Sequence, residues 1–266
     1  MGVVNVTPDS FSDGGEWLDP DEAITHGLQL LTEGADLVDV GGESTRPGAD
    51  RPSTEVELAR VLPVVAALAA AGAVVSIDTM RAEVAERAIR AGASLVNDVS
   101  GGRADPDMLD TVARAGVAYI CMHWRGHSAD MQSRASYADL VGEVVAELAE
   151  QIEAARAAGI LGDRLVVDPG FGFAKTGDHN WELLQRLPEL ESLGLPMLYG
   201  LSRKGFLGTL LADRDGIPRP ARERDDASLA LTTLLAWRRV WAVRVHRVRP
   251  HVDAITVVER LRARPG

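Results

Sequence analysis

Cysteine and lysine are almost absent from this chain of 266 residues. Cys121 is the only cysteine, so no internal disulfide can form, which is expected of a protein in the reducing cytoplasm. Every basic residue except Lys175 and Lys204 is an arginine. Coding bias is the simplest explanation of that ratio. Each lysine nevertheless raises the question of whether it has a role that arginine cannot fill.

Long hydrophobic runs and an excess of positive charge are also missing. No apolar run reaches the roughly 18 to 20 residues that a membrane-spanning helix needs. Residues 1–7 do not have the pattern of a secretory signal. The formal net charge of −11 argues against nonspecific binding of nucleic acid, although a local basic cluster can still bind a small anion.

Eight short apolar runs alternate with longer segments of helical period. Because the runs are apolar throughout, they predict strands buried on both faces of a parallel sheet. The predicted strands are 3–7, 37–41, 74–78, 95–99, 118–123, 165–168, 197–202 and 242–246. Two of the predicted helices cover residues 21–33, after Asp19 as a cap, and residues 139–158.

Six glycines punctuate the chain at the positions where left-handed helix C-caps occur, between a predicted helix and the next strand. They are Gly34, Gly72, Gly92, Gly116, Gly159 and Gly194. No linker rich in proline, glycine or serine divides the chain. We therefore predict an α/β fold with one domain over residues 1–266, an eight-stranded parallel (β/α)8 TIM barrel. A doubly wound open sheet is the structural alternative.

Polar side chains stand at the carboxyl end of every predicted strand. In a TIM barrel these ends meet at one mouth, where the active site lies. One group suits a flat heterocycle that bears both donors and acceptors, and consists of Asp78, Asn97, Asp168 and Lys204. A second group suits a phosphate or diphosphate, and consists of Arg46, Arg203, Arg244 and His246.

Other residues near the strand ends have simpler interpretations. Asn5 offers an oxygen ligand to Mg²⁺, which takes few protein ligands. A zinc site is not expected, because the six histidines have no paired ligand spacing and there is one cysteine. Asp98 could simply cap the turn that follows its strand. Cys121 has no obvious histidine partner, and we interpret it as a small buried residue.

Two glycine-rich segments carry a specific resemblance to a known family. Residues 5–15, NVTPDSFSDGG, and 41–48, GGESTRPG, resemble the signature loops of the dihydropteroate synthases. Shorter motifs follow in that family's order at 76–79, 96–98, 168–173, 202–204 and 244–246. The similarity covers essentially the whole chain, and residues 122–125 and 179–181 resemble the actinobacterial branch.

This resemblance implies a transferase of folate synthesis. Such an enzyme joins 6-hydroxymethyl-7,8-dihydropterin diphosphate to para-aminobenzoate and releases diphosphate and 7,8-dihydropteroate. The resemblance further implies Mg²⁺ as the cofactor, small-molecule substrates, no nucleic-acid or membrane partner, a cytoplasmic homodimer and a site that is a target of sulfonamides. Because a neutral arylamine is nucleophilic and diphosphate leaves readily once neutralised, the residue inventory favours dissociative displacement.

The resemblance also implies roles for individual residues. The pterin is held by Asp78, Asn97, Asp168 and Lys204, and Asn5 binds Mg²⁺. The diphosphate lies near Arg244 and His246, and the aminobenzoate lies near Phe173, Ser202 and Lys204. Thr45, Arg46 and Pro47, on the second signature loop, approach both groups, and Met122 and Arg203 also contact substrate. The catalytic assignments are Asp78, Lys204, Arg244 and Asp13.

Two other functions share part of this pattern. A barrel that transfers a methyl group from a methyl-folate to a corrinoid needs the pterin site but no diphosphate cluster. A noncatalytic paralogue would bind pterin without forming dihydropteroate. One departure from the family pattern is Gly205, which follows Lys204 where many members have a polar or basic side chain. It predicts a more open rim to the aminobenzoate pocket.

Overall fold

A computed structural model describes residues 1–7, 19–44, 51–127 and 131–263. Its strands are β1 Gly2–Asn5, β2 Val38–Gly41, β3 Val75–Asp78, β4 Leu95–Asp98, β5 Ala118–Met122, β6 Leu165–Asp168, β7 Leu198–Tyr199 and β8 Ala242–Val243. Its helices are α1 Pro20–Thr32, α2 Thr54–Ala70, α3 Ala82–Arg90, α4 Met108–Ala115, α5 Leu140–Ala157, α6 Gly177–Gln185, α7 Leu187–Glu191, α8 Gly205–Leu210, α9 Asp225–Trp237 and α10 Val248–Arg262. Strands and helices therefore alternate as the sequence predicts.

The strands close into a barrel. Strands β1 to β6 pair in chain order, all in parallel, and β7 pairs with β8 in the same way. Val167 in β6 donates its N–H to the Pro196 carbonyl just before β7, at 2.9 Å. Val3 in β1 donates to the Val245 carbonyl just after β8, at 3.2 Å. The TIM barrel prediction is confirmed, and the open-sheet alternative is wrong.

Five strands, β1, β4, β5, β7 and β8, end earlier than the sequence predicts, and the difference is largest for β7 and β8. Strand β7 ends at Tyr199 rather than at residue 202, and β8 ends at Val243 rather than at residue 246. Beyond these points the polar side chains pair with each other, as Ser202 Oγ does with His246 Nδ1 at 2.9 Å. The pattern of apolar residues alone therefore does not predict the residue at which a strand ends and the following polar turn begins.

Alternate residues of each strand pack on opposite sides of the barrel wall. A small interior cluster of strand residues fills the amino-terminal end of the barrel and consists of Met1, Leu95, Ile120, Val166 and Leu198. The larger cluster lies between the strands and the helices and includes Tyr119, Val167 and Leu148. Side chains therefore fill the interior at the amino-terminal end of the strands, and the interior is open at their carboxyl-terminal end.

The helix-capping residues and the glycines that follow helices have the geometry that the sequence predicts. Asp19 caps α1 by accepting the N–H of Asp21 at 2.8 Å, and Asp139 caps α5. All six punctuating glycines have positive φ, between 65° at Gly116 and 116° at Gly92, as a left-handed helix end requires. No helix of the described residues is long and apolar enough to cross a membrane.

Candidate active site

A cavity of about 730 Å³ lies at the carboxyl ends of the strands. It is lined by all the site residues predicted within the described ranges, namely Asn5, Asp78, Asn97, Met122, Asp168, Phe173, Ser202, Arg203, Lys204, Arg244 and His246. The remaining predictions, Asp13, Thr45, Arg46 and Pro47, lie outside the described residues. A second cavity, of about 950 Å³, lies around Met1 and Trp241 and contains none of the predicted site residues.

One arginine joins two carboxylates at the floor of the site. Arg244 Nε donates to Asp39 Oδ2 at 2.6 Å, and Arg244 Nη2 donates to Asp78 Oδ2 at 2.9 Å. The Asn97 side-chain amide also donates to Asp39 Oδ2, at 3.0 Å. Asp39 is fully buried and thus fixes both Arg244 and Asn97. The residue assignments above missed Asp39, although it is the one charged residue inside an otherwise apolar strand β2.

Burial controls the electrostatics of the side of the cavity that carries Asp78 and Asp168. Burial, and then the negative charge of Asp39, raise the pKa of Asp78, while Arg244 opposes the shift. Burial also raises the pKa of Asp168, against the N–H of Gly170 and the charge of Lys204. These carboxylates are under-solvated in the free protein. A ligand that donates hydrogen bonds to them would stabilise their charged forms.

The other side of the cavity combines a ring, an ammonium and a neutral histidine. Lys204 Nζ lies 4.2 Å from the centroid of the Phe173 ring, a cation–π distance. Burial lowers the pKa of Lys204 to about 8, while Asp168 opposes that shift. Burial and the charge of Arg203 lower the pKa of His246, so His246 is neutral beside Ser202. A flat aromatic acid can lie against this surface.

Arg203 lines the cavity but already has a carboxylate partner. Its Nε and Nη2 donate to the two Asp225 oxygens at 2.6 and 2.9 Å. Its backbone has a φ of 59°, unusual for a residue with a Cβ, and its N–H donates to Ser228 Oγ at 3.0 Å. The geometry gives Arg203 a part in holding the turn between β7 and α8. Its contact with substrate stays a prediction.

Two residues near the strand ends do not belong to the site. Asp98 faces away from the cavity and accepts the N–H groups of Ser100 and Gly102, both at 2.8 Å, and the Tyr119 hydroxyl. It therefore caps the turn after β4, as its simpler interpretation predicts. Cys121 is fully buried, and burial raises the pKa of its thiol, which fits a packing residue.

The similarity of this chain to known proteins is extensive. Residues 1–246 match the family of pterin binding enzymes. The chain is 57% identical to the dihydropteroate synthase of Mycobacterium leprae over 259 residues, which are 97% of this chain and 91% of that protein. A crystal structure of the Yersinia pestis dihydropteroate synthase in a sulfonamide drug complex superposes with a TM-score of 0.92 at 41% identity, over 98% of this chain and 93% of that one. The Xanthomonas albilineans dihydropteroate synthase in complex with 7,8-dihydropteroate superposes with a TM-score of 0.86 at 43% identity, over 100% and 94%.

Proposed function

This chain belongs to the pterin binding enzyme family and has the activity of its dihydropteroate synthases, and from that premise we propose how its own residues perform the reaction. The enzyme condenses 6-hydroxymethyl-7,8-dihydropterin diphosphate with para-aminobenzoate, giving 7,8-dihydropteroate and diphosphate. The observation that supports our assignment best is the composition of one cavity. It joins under-solvated carboxylates on one side to arginine, lysine and a neutral histidine on the other.

The pterin is assigned to the carboxylate side of the cavity. Asp168 and Asp78 accept hydrogens from the ring edge that carries the amino group and its neighbouring ring nitrogens. Asn97 presents its amide oxygen, because its N–H₂ group is already bound to Asp39. Lys204 donates to a ring carbonyl or nitrogen. These groups are on strand ends, so the pterin site exists before the second substrate arrives.

The diphosphate and Mg²⁺ are assigned to the part of the cavity that is lined by Asn5, Arg244 and His246. The described residues contain no group of three histidine, cysteine or acidic side chains that could hold a metal by themselves. An amide oxygen of Asn5 at the strand end fits Mg²⁺, which completes its shell with phosphate oxygens and water. When bound, Mg²⁺ would neutralise charge on the leaving diphosphate.

The chemical step is a displacement at the exocyclic carbon of the pterin. The carbon–oxygen bond to diphosphate breaks, and the electron pair leaves with that oxygen. The pterin ring shares the positive charge, and the nearby carboxylates stabilise it. The aminobenzoate nitrogen then forms the new bond to carbon and loses a proton to water, so Phe173, Ser202 and Lys204 need only orient the arylamine.

A secondary isotope effect tests this order of bond changes. We expect the substrate carrying two deuterium atoms on the exocyclic carbon to react more slowly than the unlabelled one, because that carbon becomes planar as diphosphate leaves. The measurement is competitive turnover followed by mass spectrometry. A ratio of one would show that carbon–nitrogen bonding keeps pace with carbon–oxygen cleavage, and it would contradict the dissociative mechanism without affecting the identity of the product.

The methyl-transfer alternative accounts for fewer of these features. It gives no role to the diphosphate side of the cavity, and the similarity to synthases extends over nearly the whole chain.

We also propose that a sulfonamide competes with aminobenzoate beside Phe173. A cytoplasmic location is proposed because the single thiol is buried and reduced, as in proteins of that compartment.

We propose a homodimer that covers the outer face of α9 and α10. This face exposes large apolar side chains, with Leu234 at 64%, Trp237 at 56%, Val257 at 58% and Leu261 at 69% of full exposure. A second copy of the chain is the occupant that fits an apolar helix pair. Sedimentation at micromolar concentration should give the dimer mass, and Trp237→Glu should give the monomer. A monomeric parent protein would contradict the proposal.

A further inference from the structure

Lys175 is buried beside the cavity and has no part in the mechanism above. It is 3% exposed, and in its protonated form it has three acceptors for its three N–H bonds. Burial lowers the pKa of Lys175 to about 7, while the charge of Asp168 opposes the shift. Nζ lies 2.9 Å from His123 Nδ1, 3.1 Å from the Gly170 carbonyl and 3.2 Å from the Phe173 carbonyl. Two of these acceptors belong to the loop that joins β6 to α6, which also carries Phe173.

That loop has an unusual backbone. Gly170 has a φ of 70° and Gly172 a φ of 79°, and between Phe173 and Lys175 the φ of Ala174 is 47°. A left-handed alanine costs conformational energy, so the loop needs hydrogen bonds to hold it. Two are made within the loop, by the side chain of Lys175 to the carbonyls of Gly170 and Phe173, and the Tyr137 hydroxyl donates a third from outside to the Ala174 carbonyl at 2.9 Å.

Lys175 is itself held by an ionic network behind the loop. His123 Nδ1 accepts from Lys175, so His123 Nε2 carries the proton and donates to Glu147 at 3.0 Å. Burial, and then the charge of Lys175, lower the pKa of His123 to about 3, which keeps it neutral. Arg125 binds Glu147 and lies 3.8 Å over the Tyr137 ring. The network therefore contacts the loop twice, through Lys175 at Gly170 and Phe173, and through Arg125 and Tyr137 at Ala174.

An arginine could not take the place of Lys175. A Cβ built on Gly170 would lie only 2.6 Å from the His123 carbonyl oxygen and 3.5 Å from Lys175 Nζ, so this cluster is closely packed. A tetrahedral ammonium can direct three N–H bonds to acceptors around one point, whereas a planar guanidinium cannot. The need for three N–H bonds from one nitrogen atom therefore gives residue 175 a role that an arginine cannot fill.

We propose that Lys175 is a positioning residue that fixes the loop so that the Phe173 ring forms one wall of the aminobenzoate pocket. Phe173 faces the ammonium of Lys204 at 4.2 Å, and its backbone carbonyl is bound by Lys175. The inference rests on the proposed placement of aminobenzoate beside Phe173. Two of the pterin groups, Asp78 and Asn97, stand on strands that Lys175 does not touch, whereas Asp168 accepts the N–H of Gly170 at 2.8 Å and so contacts the same loop.

The test compares Lys175→Met with the parent enzyme. We expect the KM for aminobenzoate to rise by about tenfold or more, equivalent to about 1.4 kcal/mol, and the KM for the pterin diphosphate to rise by a smaller factor, because only Asp168 of the pterin groups contacts this loop. Lys175→Arg should not restore the parent value, because its guanidinium does not fit. Arg156→Met, which breaks an exposed ion pair with Glu153 on α5, is the matched control and should change neither KM.

A double-mutant cycle separates positioning from a general loss of structure. Phe173→Ala alone should raise the KM for aminobenzoate, and adding Lys175→Met to it should raise that KM little further, because the lysine acts through the ring. Should Lys175→Met fail to fold, Lys175→Gln, which retains two N–H donors, gives the same comparison. Equal rises in both substrates' KM values, or fully additive effects in the cycle, would overturn the proposal. A parent enzyme that forms no dihydropteroate would instead overturn the proposed function.

Discussion

Replacing Asp168 with alanine is expected to lower the affinity for the pterin by about 30-fold to several thousand-fold, because losing a charged partner in a buried polar pair costs roughly 2 to 5 kcal/mol. The variant should remain folded. Burial raises the pKa of Asp168, so its ionised form is less favourable in the folded protein than in the unfolded chain. Within the described part of the chain its carboxylate accepts one hydrogen bond, from the N–H of Gly170 at 2.8 Å, so removing it should lower the free energy of unfolding less than removing Asp98, which accepts several. Calorimetry with 6-hydroxymethylpterin measures the affinity.

Asp98 provides the matched control for Asp168. Both are buried carboxylates at strand ends, but Asp98 binds protein donors around Ser100, Gly102 and Tyr119 and does not line the cavity. Asp98→Ala should therefore lower the free energy of unfolding, by about 1 to 3 kcal/mol for the unsatisfied donors that it leaves, and keep the pterin affinity. An unchanged pterin affinity in Asp168→Ala would show that Asp168 does not hold the pterin.

Replacing Arg244 with methionine is expected to abolish turnover and to lower the free energy of unfolding by about 3 to 5 kcal/mol, as for other broken buried ion pairs. The variant leaves Asp39 and Asp78 facing each other without their shared cation. Burial and the charge of Asp39 raise the pKa of Asp78 while Arg244 opposes the shift, and losing Arg244 would raise it further. The stability is therefore retained at low pH and lost as pH rises through the folded-state pKa of Asp78. The deficit should therefore be smaller at pH 5 than at pH 8.

Urea unfolding at both pH values measures the effect of Arg244→Met. The comparison variant is Arg238→Met, because Arg238 pairs with the partly exposed Glu191 at 2.8 Å outside the cavity. Its loss should cost no more than about 1 kcal/mol. If Arg244→Met lowered the free energy of unfolding by as little as Arg238→Met does, or by an amount that does not depend on pH, the result would contradict the view that Arg244 neutralises two buried carboxylates.

The positions of the main site residues could be predicted from the sequence because the fold fixes them. Once eight apolar strands close in parallel, their carboxyl ends share one mouth, and Asp78, Asn97, Asp168 and Arg244 must converge. No three-dimensional detail is needed for that step. The same logic predicts Lys204, which lies in the turn between β7 and α8.

Other features depend on contacts that no local pattern encodes. Asp39 acquires its role from Arg244, a partner 205 residues away in the sequence. The sequence alone does not show that Arg203 has an acidic partner, but the side chain of Asp225, at the start of α9, accepts a hydrogen bond from it. Lys175 stands out in the sequence only by its rarity. Its role depends on the left-handed loop that brings Gly170 and Phe173 around one ammonium.

Product formation by the purified chain tests the central claim most directly. The protein is incubated with 6-hydroxymethyl-7,8-dihydropterin diphosphate, para-aminobenzoate and Mg²⁺, and the mixture is analysed by mass spectrometry. We expect 7,8-dihydropteroate and diphosphate in equal amounts, and no product from Asp168→Ala or when Mg²⁺ is removed by a chelator. Pterin that binds in the cavity while no dihydropteroate forms would contradict the claim and would identify the chain as a noncatalytic pterin-binding barrel.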